Sequence, residues 1–308
     1  MALRSTTPAA GALLGLAALV LPLTTPAAAD ARPDGRPPVV VAHRGASAYA
    51  PENTLAAVDE AAAREVTWVE NDVQRTRDGA LVVLHDTTLE RTTDVEEVFP
   101  DRAPWRLADF TLAEVEKLDA GSWFAEDYAG IRIPTLRQYL RRVEANGQNL
   151  LLELKRPDLY PGIVRQTLRE LAEEGWLDRS HRVERLIVQS FDADAVRTVH
   201  DRAPALTTGY LGTPKAAALG RYARFTDRIN PRWSTVDAAY VRAVHALKGA
   251  HGRPLQVWTW TVDDAATARR MAERGVDGII SNRPDVVLEA VGDGAGPVLT
   301  GPTTDTSQ

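Results

Sequence analysis

VVVAHRGASAYAPENTLAAVDEAAAREVTWVENDV, residues 39–73, holds the unit on which the fold turns. Val39-Val40-Val41-Ala42 is a short apolar run, the signature of a strand buried on both faces. Pro51-Glu52-Asn53-Thr54 then opens a helical stretch, LAAVDEAAAREV, with proline near the first turn, where its missing N–H costs little. Val66 to Val73 (VTWVENDV) returns to strand character. A strand, a helix and a second strand imply parallel pairing through a right-handed crossover.

Working outward, the same alternation continues to the C-terminus with one interruption. Asp78-Gly79 marks a tight turn before Ala80 to Leu84, so the second strand carries a short hairpin arm. From about 86 to 133 short polar pieces surround Trp105, Phe110, Trp123, Phe124 and Tyr128, which predicts a small inserted segment. Strands follow at Asn149–Lys155, Arg185–Phe191, Leu206–Leu211, Arg228–Trp233, Leu255–Val262 and Gly278–Ser281. Helices fall at Leu136–Asn146, Gly162–Glu174, Asp192–Arg202, Val236–Leu247, Asp263–Arg274 and Asp285–Val291. The count of about eight strand–helix units favours a closed (β/α)₈ barrel over an open doubly wound sheet. No glycine fingerprint for a dinucleotide follows the first strand, which also argues against the open form. The strands near 206 and 228 carry the weakest signal.

The chain has 308 residues, a formal charge of −6 and no cysteine. Arg4 followed by the apolar run Gly11–Leu23 and Ala27-Ala28-Ala29 predicts a secretory signal peptide over 1–29, too short for a stable bilayer anchor. A polar, proline-rich lead-in covers 30–38, the barrel domain 39–291, and a Gly/Pro/Thr-rich tail, expected to be disordered, 292–308. The expectation is therefore a secreted protein without disulfides or a lipidated cysteine, resting on an ordinary packed core. Mild acidity with no basic run excludes non-specific nucleic-acid binding.

In a (β/α)₈ barrel the site lies at the C-terminal ends of the strands, and the polar residues gather there. The first strand ends in His43-Arg44-Gly45. Glu70 and Asp72 lie two apart on the second, so a pleated strand points both to one face, and Glu153 and Lys155 repeat the spacing on the third. The hairpin arm ends in His85-Asp86, Gln189-Ser190 ends another strand, and Trp258 and Trp260 stand on a late one. Glu70, Asp72 and Glu153 interrupt otherwise buried runs, where an unpaired carboxylate is costly to desolvate. Arg44 and Lys155 compensate them in part. Three converging carboxylates also make an oxygen-ligand site for one Mg²⁺ or Ca²⁺, with an internal ion-pair network as the alternative. A hard cation beside two histidines, an arginine and a lysine suits phosphodiester cleavage. The metal and Arg44 would bind non-bridging oxygens, one neutral histidine would take a proton and one charged histidine would give one.

Ordered motifs carry a resemblance to a known family. They are His43-Arg44-Gly45, Pro51-Glu52-Asn53-Thr54, Glu70-Asn71-Asp72-Val73, Asp78-Gly79 with His85-Asp86, Arg91-Thr92-Thr93, Ile133-Pro134-Thr135-Leu136, Glu153-Leu154-Lys155, Ser190-Phe191, Trp260-Thr261-Val262 and Gly275-Val276-Asp277-Gly278-Ile279. Over about Val39–Val291 the chain resembles the glycerophosphodiester phosphodiesterase family. The resemblance implies a TIM barrel of the PI-phosphodiesterase-like type with a small cap inserted after the second strand. It implies a small-molecule glycerophosphodiester substrate, His43 and His85 as the acid–base pair, and Glu70, Asp72 and Glu153 as metal ligands. Arg44, Lys155 and Trp260 are then phosphate or substrate partners, and Trp123, Phe124 and Gln189 candidates for the substrate wall. The family's route is attack by the glycerol 2-hydroxyl, giving a cyclic phosphate that water opens. Two departures from the family pattern, Asp263 after Trp260-Thr261-Val262 and Asn282 in Ser281-Asn282-Arg283, are expected at the rim, bearing on substrate choice. The competing readings are lipid-directed phospholipase D-like or lysophospholipase D-like hydrolysis on the same fold, a non-catalytic secreted binding protein, and a sugar hydrolase using Glu70 and Glu153. The last leaves His43, His85 and Arg44 without a role.

Overall fold

The computed structural model describes residues 36–181 and 185–292, together with Ala2. The expected signal segment (Ala2 apart), most of the lead-in and all but Gly292 of the expected tail lie outside the described residues. No helix among the described residues is long and apolar enough to cross a membrane.

Among the described residues, nine strands form one sheet. They are β1 (Val39–Ala42), β2 (Trp68–Arg75), β3 (Leu81–Val83), β4 (Asn149–Leu154), β5 (Leu186–Ser190), β6 (Thr207–Leu211), β7 (Arg228–Asn230), β8 (Gln256–Thr259) and β9 (Gly278–Ser281). All but β3 run parallel to their neighbours, and β1 pairs with both β2 and β9, closing an eight-stranded barrel. The strand β3 pairs antiparallel with β2, the hairpin arm expected from Asp78-Gly79. One helix follows each barrel strand before the next begins: α1 (Leu55–Ala63), α4 (Leu136–Ala145), α5 (Ile163–Glu173), α6 (Ala193–Arg202), α7 (Leu219–Tyr222), α8 (Ala238–His245), α9 (Ala265–Glu273) and α10 (Pro284–Gly292). The inserted segment supplies two single-turn helices, α2 (Val95–Val98) and α3 (Leu112–Val115).

Side chains alternate across each strand. Val41, Trp68, Leu151, Ile187, Trp258 and Ile280 fill the barrel interior, with Trp68 edge-on to Trp258 at 5.5 Å. Val69, Leu150, Leu152 and Val188 face outward into the layer shared with the helices. Gly278 is required by this interior, because a Cβ there would lie 2.5 Å from the Trp258 ring.

The period of two then dictates where the polar residues go. Counting from Trp68, Glu70 and Asp72 face inward; counting from Leu151 and Ile187, so do Glu153 and Gln189. They stand above the apolar layer, at the C-terminal mouth.

Two late strands are shorter than their sequence suggests. Pro231 has no N–H to extend the ladder, so β7 stops at Asn230 and Trp233 enters a 3₁₀ turn (Trp233–Thr235). The strand β8 ends at Thr259, leaving Trp260 on the loop above it. The insertion packs as a small unit on β3, with Leu89, Val95, Leu107, Phe110, Val115 and Leu118 in its own buried cluster. Asp119 ties its far end together, accepting hydrogen bonds from the backbone N–H groups of Gly121, Ser122 and Gly130.

Candidate active site

Strand register brings the acidic residues together. Asp72 is the ladder partner of Glu153, and Glu153 of Gln189, so three inward polar side chains stand side by side on β2, β4 and β5. Glu70, Asp72 and Glu153 are buried and each offers a carboxylate oxygen within 4.8 Å of the others. Arg44 donates its backbone N–H to Glu70 (2.9 Å), and its Nε lies 3.4 Å from Asp72. A left-handed backbone at Arg44 (φ 57°) turns that N–H inward, an uncommon conformation for a residue with a side chain. Lys155 Nζ lies 3.0 Å from Glu153 and 3.4 Å from Asp72. Asn53, also left-handed, donates to Asp72 at 2.9 Å.

Were all three carboxylates ionised, they would outnumber the two cations, Arg44 and Lys155, by one charge. Burial, reinforced by the charges of Asp72 and Glu153, pushes the Glu70 carboxyl well above its usual range. Burial and Asp72 likewise push Glu153 up to about 7. Burial acts on Asp72 in the same direction, but Lys155 and Arg44 outweigh it and hold that carboxyl well below its ordinary value. An all-oxygen, buried, over-acidic donor set fits a hard divalent cation and would be relieved by one.

A dependence of stability on pH follows. Between its ordinary value of 4.5 and about 7, Glu153 keeps a proton in the folded state that the unfolded chain has released. Metal-free stability therefore falls as pH rises through that window, whereas cation binding needs the proton gone. Melting curves at pH 5 and pH 8 are expected to show a larger Ca²⁺- or Mg²⁺-induced rise in Tm at pH 8; equal rises would contradict the assignment.

Two imidazoles face the same cavity, which is lined among others by His43, Arg44, Glu70, His85, Glu153 and Lys155. Burial, then the Arg44 charge, lowers His43 to about 4. Its Nδ1 lies 2.7 Å from Asn282 Oδ1. His85 is held differently: its Nδ1 lies 2.6 Å from the Asp86 carboxylate. Asp86 is bound in turn by Arg91, and Arg91 donates to Glu52 at 2.7 Å and 2.9 Å. Glu52 also accepts from Arg44 at 2.9 Å, so one chain of ion pairs joins the Asp86 partner of His85 to Arg44 beside the carboxylates. The other four histidines do not line the cavity; His181, His245 and His251 are paired with carboxylates elsewhere.

Gln189, Trp260 and Phe191 also line the wall. Trp260 donates Nε1–H to the Asn230 carbonyl (2.8 Å) and meets half-exposed Phe191 edge-on at 5.6 Å. Gln189 accepts from Asn230 Nδ2 at 2.7 Å, across the space left by Gly209, where a Cβ would lie 2.9 Å from that nitrogen. Trp258 belongs to the barrel interior instead. Trp123 and Phe124 do not line the cavity; they pack on each other, and Phe124 on Tyr128, whose hydroxyl donates to the Tyr49 carbonyl.

The expectation for Asp263 and Asn282 changes here. They lie behind His43, hydrogen-bonded to each other and, through Asn282, to its imidazole. Their contact is with the His43 imidazole at the cavity wall, not with the rim.

The model of the glycerophosphoryl diester phosphodiesterase family matches residues 43–286. The chain belongs to this family. Glycerophosphodiester phosphodiesterase of Bacillus subtilis is 33% identical over 262 residues, covering 80% of this chain and 84% of its own. The enzyme of that name from Caldanaerobacter subterraneus is 34% identical over 255 residues, covering 82% and 97%. A phosphodiesterase of Oleispira antarctica, solved in complex with the product sn-glycerol-3-phosphate, superposes with a TM-score of 0.72 at 30% identity, over 83% of this chain and 97% of that one. This member of the glycerophosphodiester phosphodiesterases is thus a phosphoric diester hydrolase on a (β/α)₈ barrel, with the mouth of the barrel as its candidate site.

Proposed function

We propose that the cavity converts glycerophosphodiesters into sn-glycerol 3-phosphate and a free alcohol, with one Ca²⁺ or Mg²⁺ held by Glu70, Asp72 and Glu153. The observation that carries this reading is the meeting of His43 and His85 at one cavity with Glu70 and Glu153, which cluster with the buried Asp72. When bound, the cation neutralises the carboxylates and draws charge from the phosphoryl oxygens. Arg44 and Lys155 add positive charge on the same side.

The two histidines take opposite roles because their surroundings differ. His43, buried beside Arg44, is neutral and serves as the base for the glycerol 2-hydroxyl. His85, its Nδ1 held by the Asp86 carboxylate at 2.6 Å, stands on the other side as the acid that protonates the leaving alcohol. The 2-oxygen bonds to phosphorus as the bond to the alcohol oxygen breaks, giving a cyclic phosphate. For the second step the roles reverse: His85 takes a proton from water and His43 returns its own to the 2-oxygen. Phe191 and Trp260 flank the organic part of the substrate.

The N-terminal segment supports a proposal that the reaction takes place outside the cell. Phosphorus NMR of glycerophosphocholine during turnover tests the bond that is cut. A single new signal of sn-glycerol 3-phosphate is expected; choline phosphate would mean cleavage on the other side and a different orientation in the cavity.

A further inference from the structure

Neither Asp263 nor Asn282 lines the cavity, yet together they decide what His43 presents to it. A side-chain amide has an accepting end and a donating end, exchanged by a half-turn, whereas an ionised carboxylate only accepts. Asp263 stands against Asn282 and takes two bonds from it: the backbone N–H to Oδ1 at 2.8 Å and the amide Nδ2 to Oδ2 at 2.8 Å. Ser281 adds its hydroxyl at 3.1 Å. With Nδ2 committed to Asp263, Asn282 turns Oδ1 towards Ser47, whose hydroxyl donates at 2.8 Å, and towards His43 Nδ1 at 2.7 Å. An amide oxygen cannot donate. The hydrogen of that last bond therefore belongs to Nδ1, and the neutral ring keeps a bare Nε2.

We infer that Asp263 is a positioning residue that selects the His43 tautomer through Asn282, leaving Nε2 free to accept a proton. The inference deepens the proposed acid–base reading and rests on it only for the effect on rate. The tautomer itself follows from the hydrogen-bond pattern, whatever the substrate.

Exchanging the carboxylate for an amide gives a sharp test. In Asp263→Asn, the new Oδ1 continues to accept from Asn282 N–H, so the new Nδ2 faces the Asn282 side chain. Asn282 then turns over and donates its own Nδ2 to His43, which must move its proton to Nε2. In the double variant Asp263→Asn/Asn282→Asp, the amide at 263 donates, and the carboxylate at 282 again accepts from Nδ1. The coupled pair is thus restored with its charge moved from position 263 to position 282.

The measurement is the long-range proton–nitrogen NMR spectrum of ¹⁵N-histidine-labelled protein, with His43→Gln to assign the signal, beside steady-state kinetics with the divalent cation present. The parent is expected to show His43 protonated at Nδ1, Asp263→Asn at Nε2, and the double variant at Nδ1 again. In step, kcat is expected to fall at least ~10-fold in Asp263→Asn with little change in KM, and to recover most of that loss in the double variant, within the ~10²–10⁴ that acid–base help supplies. A His43 still protonated at Nδ1 in folded Asp263→Asn would overturn the inference, as would a double variant that recovers neither tautomer nor rate. If the parent releases no glycerol phosphate, the functional reading fails while the histidine spectrum still decides this one.

Discussion

Alanine at His43 or at His85 is expected to lower kcat for glycerophosphocholine by about 10²–10⁴, the usual worth of general acid–base catalysis, with the cation still bound. Each ring handles one proton in both steps of the proposed reaction, so neither loss is spared by the other ring. The two variants should differ in one diagnostic respect. A glycerol diester whose leaving group is an acidic phenol needs no proton from His85 in the first step. His85→Ala is therefore expected to recover much of its rate of p-nitrophenol release in single-turnover measurements on glycerol p-nitrophenyl phosphate, though not its rate of ring opening. His43→Ala should not recover, because the attacking hydroxyl still has to lose its proton. Equal rescue of both would contradict the assignment of base and acid. The double variant is expected to cost much less than the product of the single losses, since residues acting on one coordinated transfer are not additive.

The second large effect concerns the cation. Glu70→Gln keeps an oxygen to accept the Arg44 backbone N–H but removes one buried negative charge from the cluster. Burial and its two acidic neighbours already push the Glu70 carboxyl well above its usual range, so ionising it in the metal-free protein opposes folding. The variant is therefore expected to be at least as stable as the parent at pH 8 without metal. Its divalent-cation affinity should nevertheless drop by more than the ~10–100-fold that loss of an outer partner of a metal costs. Activity and the metal-induced rise in Tm should disappear together. Calorimetric titration and melting curves of the two proteins check both signs. A variant that is destabilised without metal yet binds the cation as the parent does would mean that the cluster is an internal ion-pair network.

Much of the fold could be read from the chain because parallel strands buried on both faces leave short apolar runs. Residues 39–42 and 149–154 are clear examples, and the carboxylates that interrupt such runs mark the mouth of the barrel. The strand β6, one of the two with the weakest signal, is faint for a physical reason. Its buried Thr208 meets its needs locally, donating its hydroxyl to the Phe225 carbonyl, so the strand is buried without being apolar. His43, His85, Glu70, Asp72, Glu153, Arg44 and Lys155 were legible as a set through their types and spacing.

The residues that hold them were not legible in the same way. Asn282 lies 239 positions from His43, and Arg91 lies 39 from Glu52; only closure of the barrel and packing of the insertion bring these partners together. The hydrogen bond from Asn230 to Gln189 depends on the missing side chain at Gly209, a space visible only once β5, β6 and β7 are in register. Quoted motifs did contain Glu52, Asn53 and Arg91, but a motif gives no partner. Asp263 and Asn282 depart from the family pattern and read from the sequence as rim residues, since a sequence does not tell a loop's outer surface from its inner one.

Release of glycerol 3-phosphate from glycerophosphocholine by the purified chain, stripped with EDTA and then given back Ca²⁺ or Mg²⁺, tests the central claim most directly. The proposed reaction predicts no release after stripping, recovery on restoring the cation, and no recovery in His43→Ala. Release that persists in EDTA, or a His43→Ala variant as active as the parent, would contradict it.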